Sequence, residues 1–535
     1  MPHSPRRNGV ALSTTGRCDG YGARAGAVVA SRRTSPTLTK ATAVSLALPA
    51  LPRPAWLSPR VFKTEVLAGL VVAIALIPEA ISFSILAGVD PRVGLFASFT
   101  MAVTIAFTGG RPAMISAATG AIALIVAPLA RDYGLEYLLA AVILAGIVQV
   151  LLAFAGVARL MRFIPRSVMV GFVNALAILI FLAQLPYLID VPLIVYPMVI
   201  VGIAIMVLLP RLTTAVPAPL VTVVLLTLAV LAFGWNVPTV GDQGELPDGL
   251  PVLGIPAVPF DFETLRIIAP FAIAMALVGL MESLMTAKLV DDITDTHSRK
   301  TRESWGQGVA NIVTGFFGGM GGCAMIGQTM INVKVSGART RLSTFLAGVF
   351  LIILVVALGD IVAVIPMAAL VAVMIIVSYS TFDWHSLKGI RFMPKSETTV
   401  MVMTVVATVI THNLAIGVIT GVLTASVLFA RRVAHLVTMT REVAADGEHV
   451  TYEVHGELFF ASSNDLVTQF EYVEDPHWVV IDLSEAHVWD ASTVAALDAV
   501  VYKYERRGKT VDVLGLNDYS AALLERLDGK LPSGH

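Results

Sequence analysis

A carboxylate lies well inside a long apolar stretch near the middle of the chain. Glu282 is the one charged residue in the segment 276–286, and Thr286 follows it by one helical turn. Ionisable residues inside apolar segments of membrane length are costly, so they are functional candidates by default. Because burial disfavours the charged form, this carboxylate suits a residue that takes up and releases a proton during a transport cycle. The alternative is a structural glutamate that bonds to a neighbouring helix.

A second carboxylate follows a proline in the first long apolar stretch. Pro78 precedes Glu79 directly. A proline has no N–H to donate within a helix, so it frees a carbonyl one turn earlier and disturbs the helix beside the carboxylate. A role of Glu79 in transport and a role as the polar partner of a helix kink are both open on the sequence alone.

Two segments rich in glycine and alanine interrupt the apolar pattern at residues 115–121 and 318–328. Broken spans at matching positions in the two halves of a transporter mark a substrate site near the membrane midplane. Two half-helices with facing N-termini would offer free N–H groups and positive dipole ends, which hold an anion without a buried Lys or Arg. The alternative is that these glycines only allow close packing of helices.

The composition places all of these residues in a membrane protein. Of 535 residues, 56% are hydrophobic and 14% are charged, with a mean hydropathy of +0.79, whereas soluble domains carry about 25% charged residues. A formal net charge of -1 gives no sign of a nucleic-acid partner. With Cys18 and Cys323 alone, the chain has neither a disulfide framework nor a cysteine metal cluster. We expect no cofactor and no bound metal.

From about Phe62 to Ala430 the chain is a series of apolar stretches that are long enough, or nearly so, to cross about 30 Å of hydrocarbon. The pattern predicts a polytopic α-helical membrane protein in which the broken segments are the third span of each half. About fourteen spans are predicted, near 64–87, 93–109, 114–130, 136–157, 167–186, 192–210, 217–234, 264–290, 305–319, 323–335, 342–359, 361–379, 397–411 and 413–431. The predicted transport domain is 61–435, with a first repeat at 61–235, an extracytoplasmic loop at 236–263 and a second repeat at 264–435.

Basic residues fall on alternate turns between the predicted spans, which sets the orientation. The even-numbered turns carry Arg159, Arg162, Arg166, Arg211, Arg299, Lys300, Arg302, Lys334, Arg339, Arg341, Lys388, Arg391, Lys395, Arg431 and Arg432. The opposite turns hold little beyond Arg92 and Arg131, and residues 234–263 contain acidic side chains but no Lys or Arg. This pattern predicts a multi-pass protein of the inner membrane with both termini in the cytoplasm.

Residues 1–60 differ from the rest, since they are basic and contain Asp19 as their only acid. The apolar segment 41–51 is short and broken by proline, so it makes a poor signal peptide. We expect a disordered cytoplasmic tail, and an over-extended gene start is the alternative.

The last segment, residues 438–535, alternates between predicted strands and predicted helices, which indicates a small α/β domain. The strands are predicted at 450–454, 478–483 and 510–516, and the helices at 464–472, 492–507 and 518–527. In the middle helix Val494, Leu497, Val501 and Tyr504 form one apolar face. The domain has no Gly-rich phosphate loop and no metal-ligand cluster, so we expect a regulatory module and not an enzyme.

Taken together, these features resemble the SulP family of anion permeases, which transport sulfate, bicarbonate and dicarboxylates. The resemblance covers about Phe62 to the C-terminus, and the last domain is similar to a STAS domain. The motifs that carry it lie at 68–70, 78, 88–91, 94–95, 115–120, 305–311, 315–319 and 321–332.

The resemblance implies two inverted repeats of seven spans, a division into core and gate domains, and an elevator-like movement. It places the anion between the opposed N-termini of the third and tenth spans. The anion-binding residues that it implies, with their immediate neighbours, are Ala118, Thr119, Gly120, Cys323, Ala324 and Met325. A homodimer is also implied.

For coupling, Glu282 matches an acidic position that in some relatives is an Asp, which helps to bind sodium beside a Thr corresponding to Thr286. A Glu there is similar to the proton-coupled members, and Glu79 is a second coupling candidate. Two departures limit the transfer: Gln328 replaces a basic residue of several relatives, and Ala491 stands where bacterial STAS regulators carry a phosphorylated Ser.

Three functions remain open from the sequence. The first is a secondary active importer of sulfate, bicarbonate or a C4-dicarboxylate, coupled to protons through Glu282. The second is an anion exchanger or uncoupled channel on the same scaffold. The third is a membrane-anchored sensor or scaffold whose STAS domain binds a cytoplasmic partner, although an anchor needs neither paired broken spans nor a buried Glu.

Overall fold

A computed structural model describes residues 58–160, 164–213, 217–434 and 437–527. The predicted tail at 1–60 lies outside these residues except for its last three positions, and Cys18 lies outside them as well. The first helix begins at Pro59, where proline is well tolerated because the first N–H groups of a helix have no intrahelical acceptor.

Most of the described chain up to residue 434 is helical. The helices are α1 (Pro59–Leu86), α2 (Pro91–Thr108), α3 (Gly120–Tyr133), α4 (Leu135–Phe154), α5 (Val157–Leu160), α6 (Arg166–Leu182), α7 (Val195–Leu212), α8 (Ala218–Phe233), α9 (Phe262–Thr294), α10 (Lys300–Phe316), α11 (Ile326–Met330), α12 (Arg341–Ala357), α13 (Gly359–Ala363), α14 (Met367–Thr381), α15 (Trp384–Gly389), α16 (Lys395–Thr411) and α17 (Leu414–Ala434). Eight helical segments among the described residues are long and apolar enough to cross a membrane. A helix lies in each predicted stretch, but the number of crossings stays a prediction.

The helices pack in two groups. Helices α1–α4 pack with α9–α12, and we call this set the core group. Helices α6–α8 pack with α14, α16 and α17, and we call this set the gate group. The groups touch where α1 meets α8 and α14, where α3 meets α6 and where α9 meets α17.

Helices at equivalent places in the two halves make equivalent contacts. In the core group, the pair α4–α10 corresponds to the pair α12–α2 when the two halves are exchanged. The pair α1–α12 corresponds in the same way to the pair α9–α4. In the gate group, α6 packs on α16 as α14 packs on α7. This exchange of partners is the arrangement expected of two interlocked repeats.

The two short segments predicted from glycine content are broken helices. Strand β1 (Ser116–Ala117) precedes α3, and strand β2 (Cys323–Ala324) precedes α11. Helix α11 is continued by one turn of π-helix at Ile331–Val335. Each segment is therefore half extended and half helical.

One predicted span starts later than expected. The apolar pattern places the twelfth span at 361–379, joined to the eleventh with almost no loop, whereas α14 begins at Met367. Pro366 is the reason, because a proline disfavours the helical conformation of the residue before it. The short helix α13 occupies the intervening residues.

The loop between α8 and α9 is bonded to both groups. On the gate side, Met367 N at the start of α14 donates to Pro238 O at 2.9 Å. On the core side, Arg92 N donates to Glu245 O at 3.1 Å, and the Arg92 side chain forms an ion pair with Glu245. The loop therefore passes from the gate group to the core group between residues 238 and 245.

The C-terminal domain has a sheet of β3 (Thr438–Val443), β4 (His449–Leu458), β5 (Trp478–Val488) and β6 (Thr510–Leu514). The strand order is β3-β4-β5-β6, with β3 antiparallel and the other pairs parallel. Its helices are α18 (Ser463–Thr468), α19 (Ala491–Glu505) and α20 (Asp518–Leu527). Beneath the sheet, Asp475 accepts hydrogen bonds from the hydroxyls of Tyr452 and Tyr504 at 2.7 and 2.5 Å.

Candidate functional site

The two broken helices are joined by a short antiparallel ladder. Ser116 pairs with Ala324, and Ala117 pairs with Cys323. The strands approach so closely at Gly322 that a Cβ there would lie 2.0 Å from Ala117 O. Because the paired strands run in opposite directions, the helices that follow them leave the ladder in opposite directions.

Each of these helices begins with backbone N–H groups that its N-cap residue leaves free or bonds only weakly. Thr119 is the N-cap of α3, and its hydroxyl oxygen accepts a long 3.5 Å contact from Ile122 N. Met325 precedes α11 in an extended conformation, and its side chain makes no capping hydrogen bond. The first N–H groups of a helix have no intrahelical acceptor, so both starts are suited to a negatively charged group.

Both helix starts open on the same cavity of about 170 Å³, which we call the central cavity. Its walls come from the core group and from α6 and α14 of the gate group. The core residues that line it are Glu79, Phe83, Thr119, Gly120, Glu282, Met285, Met325, Ile326 and Gly327. Among the described residues that line the cavity, the ionisable ones are Glu79 and Glu282, and no Lys, Arg or His is present.

Glu282 is linked to the start of α3 through a cysteine. The Cys323 thiol donates to Glu282 Oε2 at 2.8 Å, and the Cys323 Sγ lies 3.1 Å from Thr119 Oγ1. Cys323 is fully buried and Thr119 is almost so. The three side chains therefore form a row from the carboxylate on α9 to the N-cap of α3.

Thr286 and Ser283 support α9 without lining the cavity. The Thr286 hydroxyl donates to the Glu282 carbonyl at 2.8 Å and is fully buried, so it serves the helix backbone. The Ser283 hydroxyl accepts from Ala324 N at 3.1 Å and thereby ties β2 to α9. The structure thus separates Thr286 from the cavity, and it gives Ser283 a contact that sequence reasoning missed.

Glu79 reaches the cavity from α1, whereas Glu282 reaches it from α9. Glu79 is half-buried, and the side chain of Gln328 lies near its carboxyl group. Gln328 is 1% exposed, and its Oε1 has no hydrogen-bond partner within the described part of the chain. Gln328, at which the sequence departs from the expected family pattern, thus lies close to this carboxylate.

The remaining predicted residues form the wall behind the helix starts. Ala118 and Ala324 are fully buried and do not line the cavity. Ala118 N donates to Ser98 Oγ at 3.3 Å, which fixes the backbone before Thr119. In the ranges that the structure describes, no group of three or more His, Cys, Asp or Glu residues could hold a metal ion.

Sequence reasoning also missed a buried ionic cluster at one end of the core group. Glu303 accepts from Gly110 N and Arg111 N at 2.7 and 2.9 Å, and Arg111 pairs with Asp291 at 2.9 Å. The sequence signal that could have pointed to this cluster is Arg111, which follows two glycines between two predicted spans. The acidic residues of the cluster lie far away in sequence. The cluster joins α2, α9 and α10 and lies outside the central cavity.

Comparison with known proteins identifies the family. The model of the sulfate permease family matches residues 62–207 and 191–404, and the STAS domain model matches residues 440–529. YbaR of Bacillus subtilis (strain 168), which is provisionally named a sulfate transporter, is 54% identical over 465 residues, or 87% of this chain and 97% of YbaR. The bicarbonate transporter BicA of Picosynechococcus sp. is 24% identical over 522 residues, or 88% of this chain and 91% of BicA.

Solved structures show the same fold. A structure of SLC26A9 aligns with a TM-score of 0.74 at 17% identity and covers 90% of this chain and 89% of that chain. The transmembrane domain of a cyanobacterial BicA aligns with a TM-score of 0.61 at 24% identity and covers 66% of this chain and 97% of that chain. The chain therefore belongs to the sulfate permease family of membrane anion transporters and carries a C-terminal STAS domain.

Proposed function

We propose that this protein is a secondary active transporter of a small anion, coupled to protons through Glu282. The substrate class is sulfate, bicarbonate or a C4-dicarboxylate. The observation that carries the proposal is that Glu79 and Glu282 line the same cavity as the first residues of α3 and α11. An anion at the helix starts would therefore lie beside ionisable carboxyl groups.

The charges explain why proton uptake and anion binding would be coupled. Two like unit charges about 4 Å apart repel by roughly 4 kcal/mol at an effective dielectric constant of 20. Protonation of Glu282 removes that repulsion, so the proton and the anion favour each other's binding. Loss of the proton at the other face of the membrane would then favour release of the anion.

An elevator movement fits the position of the cavity. The helix starts and both carboxylates belong to the core group, whereas Phe172, Ile180 and Val377 belong to the gate group. Movement of the core group along the gate group would carry the anion and Glu282 together. Glu79 is a second coupling candidate because it moves with the same group.

The wider assignments rest on the sequence and the family. We place the protein in the inner membrane with both termini in the cytoplasm, supported by the basic residues on alternate turns. The STAS domain follows α17 directly in the chain and would bind a cytoplasmic partner there. A homodimer is proposed from the family resemblance.

The test is uptake by purified protein in liposomes. Labelled sulfate, bicarbonate and succinate are compared with and without an inward proton gradient, for the wild type and for Glu282→Gln. We expect gradient-driven uptake of one of these anions by the wild type and loss of the gradient's effect in Glu282→Gln. Met285→Leu, a neutral change on the same wall of the cavity, is the matched control and should keep the response.

The other outcomes point to the other functions. Uptake that ignores the proton gradient and survives Glu282→Gln would replace symport by exchange or channel behaviour. No uptake of any of the anions by protein that is folded and correctly inserted would favour the sensor or scaffold function.

A further inference from the structure

A second polar site lies at the end of the gate group from which the chain continues into the STAS domain. It is a pocket of about 250 Å³ between the first turns of α6 and α16 and the last turns of α17. We call it the basic pocket. The residues that line it are Pro165, Arg166, Ser167, Ser396, Glu397, Val400, Ala425, Leu428, Phe429 and Arg432.

Two helices begin at this pocket with the same order of residue types: a proline, a basic residue and a serine. Pro165-Arg166-Ser167 starts α6, and Pro394-Lys395-Ser396 starts α16. Each helix has 17 residues, and no side chain caps its N-terminus. The uncapped N–H groups and the two positive dipole ends therefore converge on one place and favour an anionic group there.

The side chains of the pocket are arranged for the same kind of ligand. Ser167 is 5% exposed, and within the described residues its hydroxyl has no hydrogen-bond partner although it lines the pocket. The Arg432 guanidinium donates to Ser396 Oγ, and Arg166 is exposed at the rim. The Ser167 hydroxyl is therefore available to donate a hydrogen bond to a ligand in the pocket, and such a bond to a charged group would stabilise the bound state.

A wholly apolar groove continues from the basic pocket along α17. The groove has a volume of about 350 Å³ and lies between α9 of the core group and α17 of the gate group. It meets the pocket at Ile164 and Pro165, and again between Leu423 and Ala425. Along α17 the lining residues recur every three or four positions, so they form one face: Ala415, Val418, Val422, Ala425, Phe429 and Arg432.

We propose that the basic pocket and the apolar groove together bind one anionic phospholipid of the surrounding membrane. Its phosphate would lie against Arg166, Arg432, the Ser167 hydroxyl and the two helix starts, and one acyl chain would fill the groove. From Ala415 to Arg432 the face is about 26 Å long at 1.5 Å per residue, which exceeds half of a hydrocarbon core of about 30 Å.

The charge balance selects a lipid over free phosphate. Arg166 and Arg432 contribute two positive charges to the lining and Glu397 contributes one negative charge, which leaves a single net positive charge. A phosphodiester carries one negative charge, whereas free phosphate carries between one and two. The apolar groove adds affinity that only a molecule with an acyl chain can use, because burial of apolar area favours binding.

The test measures lipid binding to the full-length protein in neutral detergent by native mass spectrometry. Phosphatidylglycerol and phosphatidylcholine with the same acyl chains are titrated separately, and inorganic phosphate is used as a competitor. Two variants perturb the site independently: Arg166→Gln with Arg432→Gln removes the charge, and Val422→Trp fills the groove. Arg391→Gln and Val427→Trp are the matched controls, since neither residue lines the pocket or the groove.

We expect phosphatidylglycerol to bind at least tenfold more tightly than phosphatidylcholine. Arg166→Gln with Arg432→Gln should remove most of the preference for phosphatidylglycerol, and Val422→Trp should remove most of the affinity for it. Both controls should keep the preference and the affinity. Equal affinity for the two lipids, or unchanged binding in both site variants, would overturn the proposal. Strong competition by inorganic phosphate together with an inert Val422→Trp would also overturn it and would indicate a free-anion site.

Discussion

Cys323 shows how a side chain without charge can matter in this site. It lies between Thr119 Oγ1 and Glu282 Oε2, and it is fully buried. The family resemblance implies only that it neighbours the residues that bind the anion. The structure makes the thiol the donor to the proposed coupling carboxylate.

Replacement of Cys323 by alanine should therefore slow proton-driven uptake, whereas replacement by serine should not. Alanine removes a hydrogen bond to a group that is charged for part of the cycle, and such bonds contribute about 1.5 kcal/mol or more, or about tenfold in rate. Serine keeps a donor at the same place. The measurement is the initial rate of uptake in liposomes under a proton gradient. Equal rates for the two variants would show that the thiol has no part in coupling.

Several site residues could be predicted because the sequence alone shows their unusual chemistry. Glu282 is conspicuous as a charge in an apolar span, and the glycines around residue 320 mark a broken helix. The role of Ser283 could not be predicted, because its bond to Ala324 N joins residues that are 41 positions apart. Thr286 was expected beside the carboxylate, but a threonine inside a helix can also bond to the carbonyl one turn earlier, and this is what it does.

At the scale of elements, helices were predicted more fully than strands. The apolar stretches gave the helices because each membrane-length helix must be apolar over many residues. Strand β3 was missed because its side chains are mostly exposed, so it has no apolar alternation to detect. Helix α18 was predicted at 464–472 and ends at Thr468, and the STAS strands β4 and β5 extend beyond their predicted ends.

The STAS core should lose stability in strongly alkaline solution. Burial raises the pKa of Tyr472 to about 12, and burial together with the hydrogen bond to Asp475 raises the pKa of Tyr504. Unfolded tyrosines titrate near pH 10. Above that pH the unfolded state loses protons that the folded state keeps, so the free energy of unfolding decreases as pH rises from about 10 through 12.

The measurement is the thermal unfolding midpoint of the full-length protein in detergent between about pH 8 and 11. In Tyr504→Phe the fall above pH 10 should be smaller, because one buried phenol is gone. Tyr519→Phe is the control, since Tyr519 is 62% exposed and should leave the fall unchanged. An identical pH profile in all three proteins would contradict the assignment.

At the scale of the whole molecule, the division into core and gate groups predicts which covalent links stop transport. A short thiol cross-linker between Leu277→Cys and Val418→Cys would join α9 to α17 across the apolar groove. A link between Thr100→Cys and Thr314→Cys would stay inside the core group, where the two hydroxyls lie 2.8 Å apart. Both pairs are made in a background in which the two native cysteines are replaced, Cys18→Ser with Cys323→Ser.

We expect the link from core to gate to reduce uptake at least tenfold and a thiol reductant to restore it where the linker is cleavable. The link within the core should leave uptake near that of the uncross-linked protein. Full activity with the two groups joined would exclude relative movement of α9 and α17 as part of the cycle.

The loop between α8 and α9 would limit the proposed movement. It is bonded to the gate group at Pro238 and to the core group at Glu245. Seven residues of fully extended chain span at most about 25 Å. As long as both attachments hold, this connection would set an upper limit on the displacement of the core group relative to the gate group, and any larger displacement would first have to break the bond at Pro238 or the bonds of Arg92.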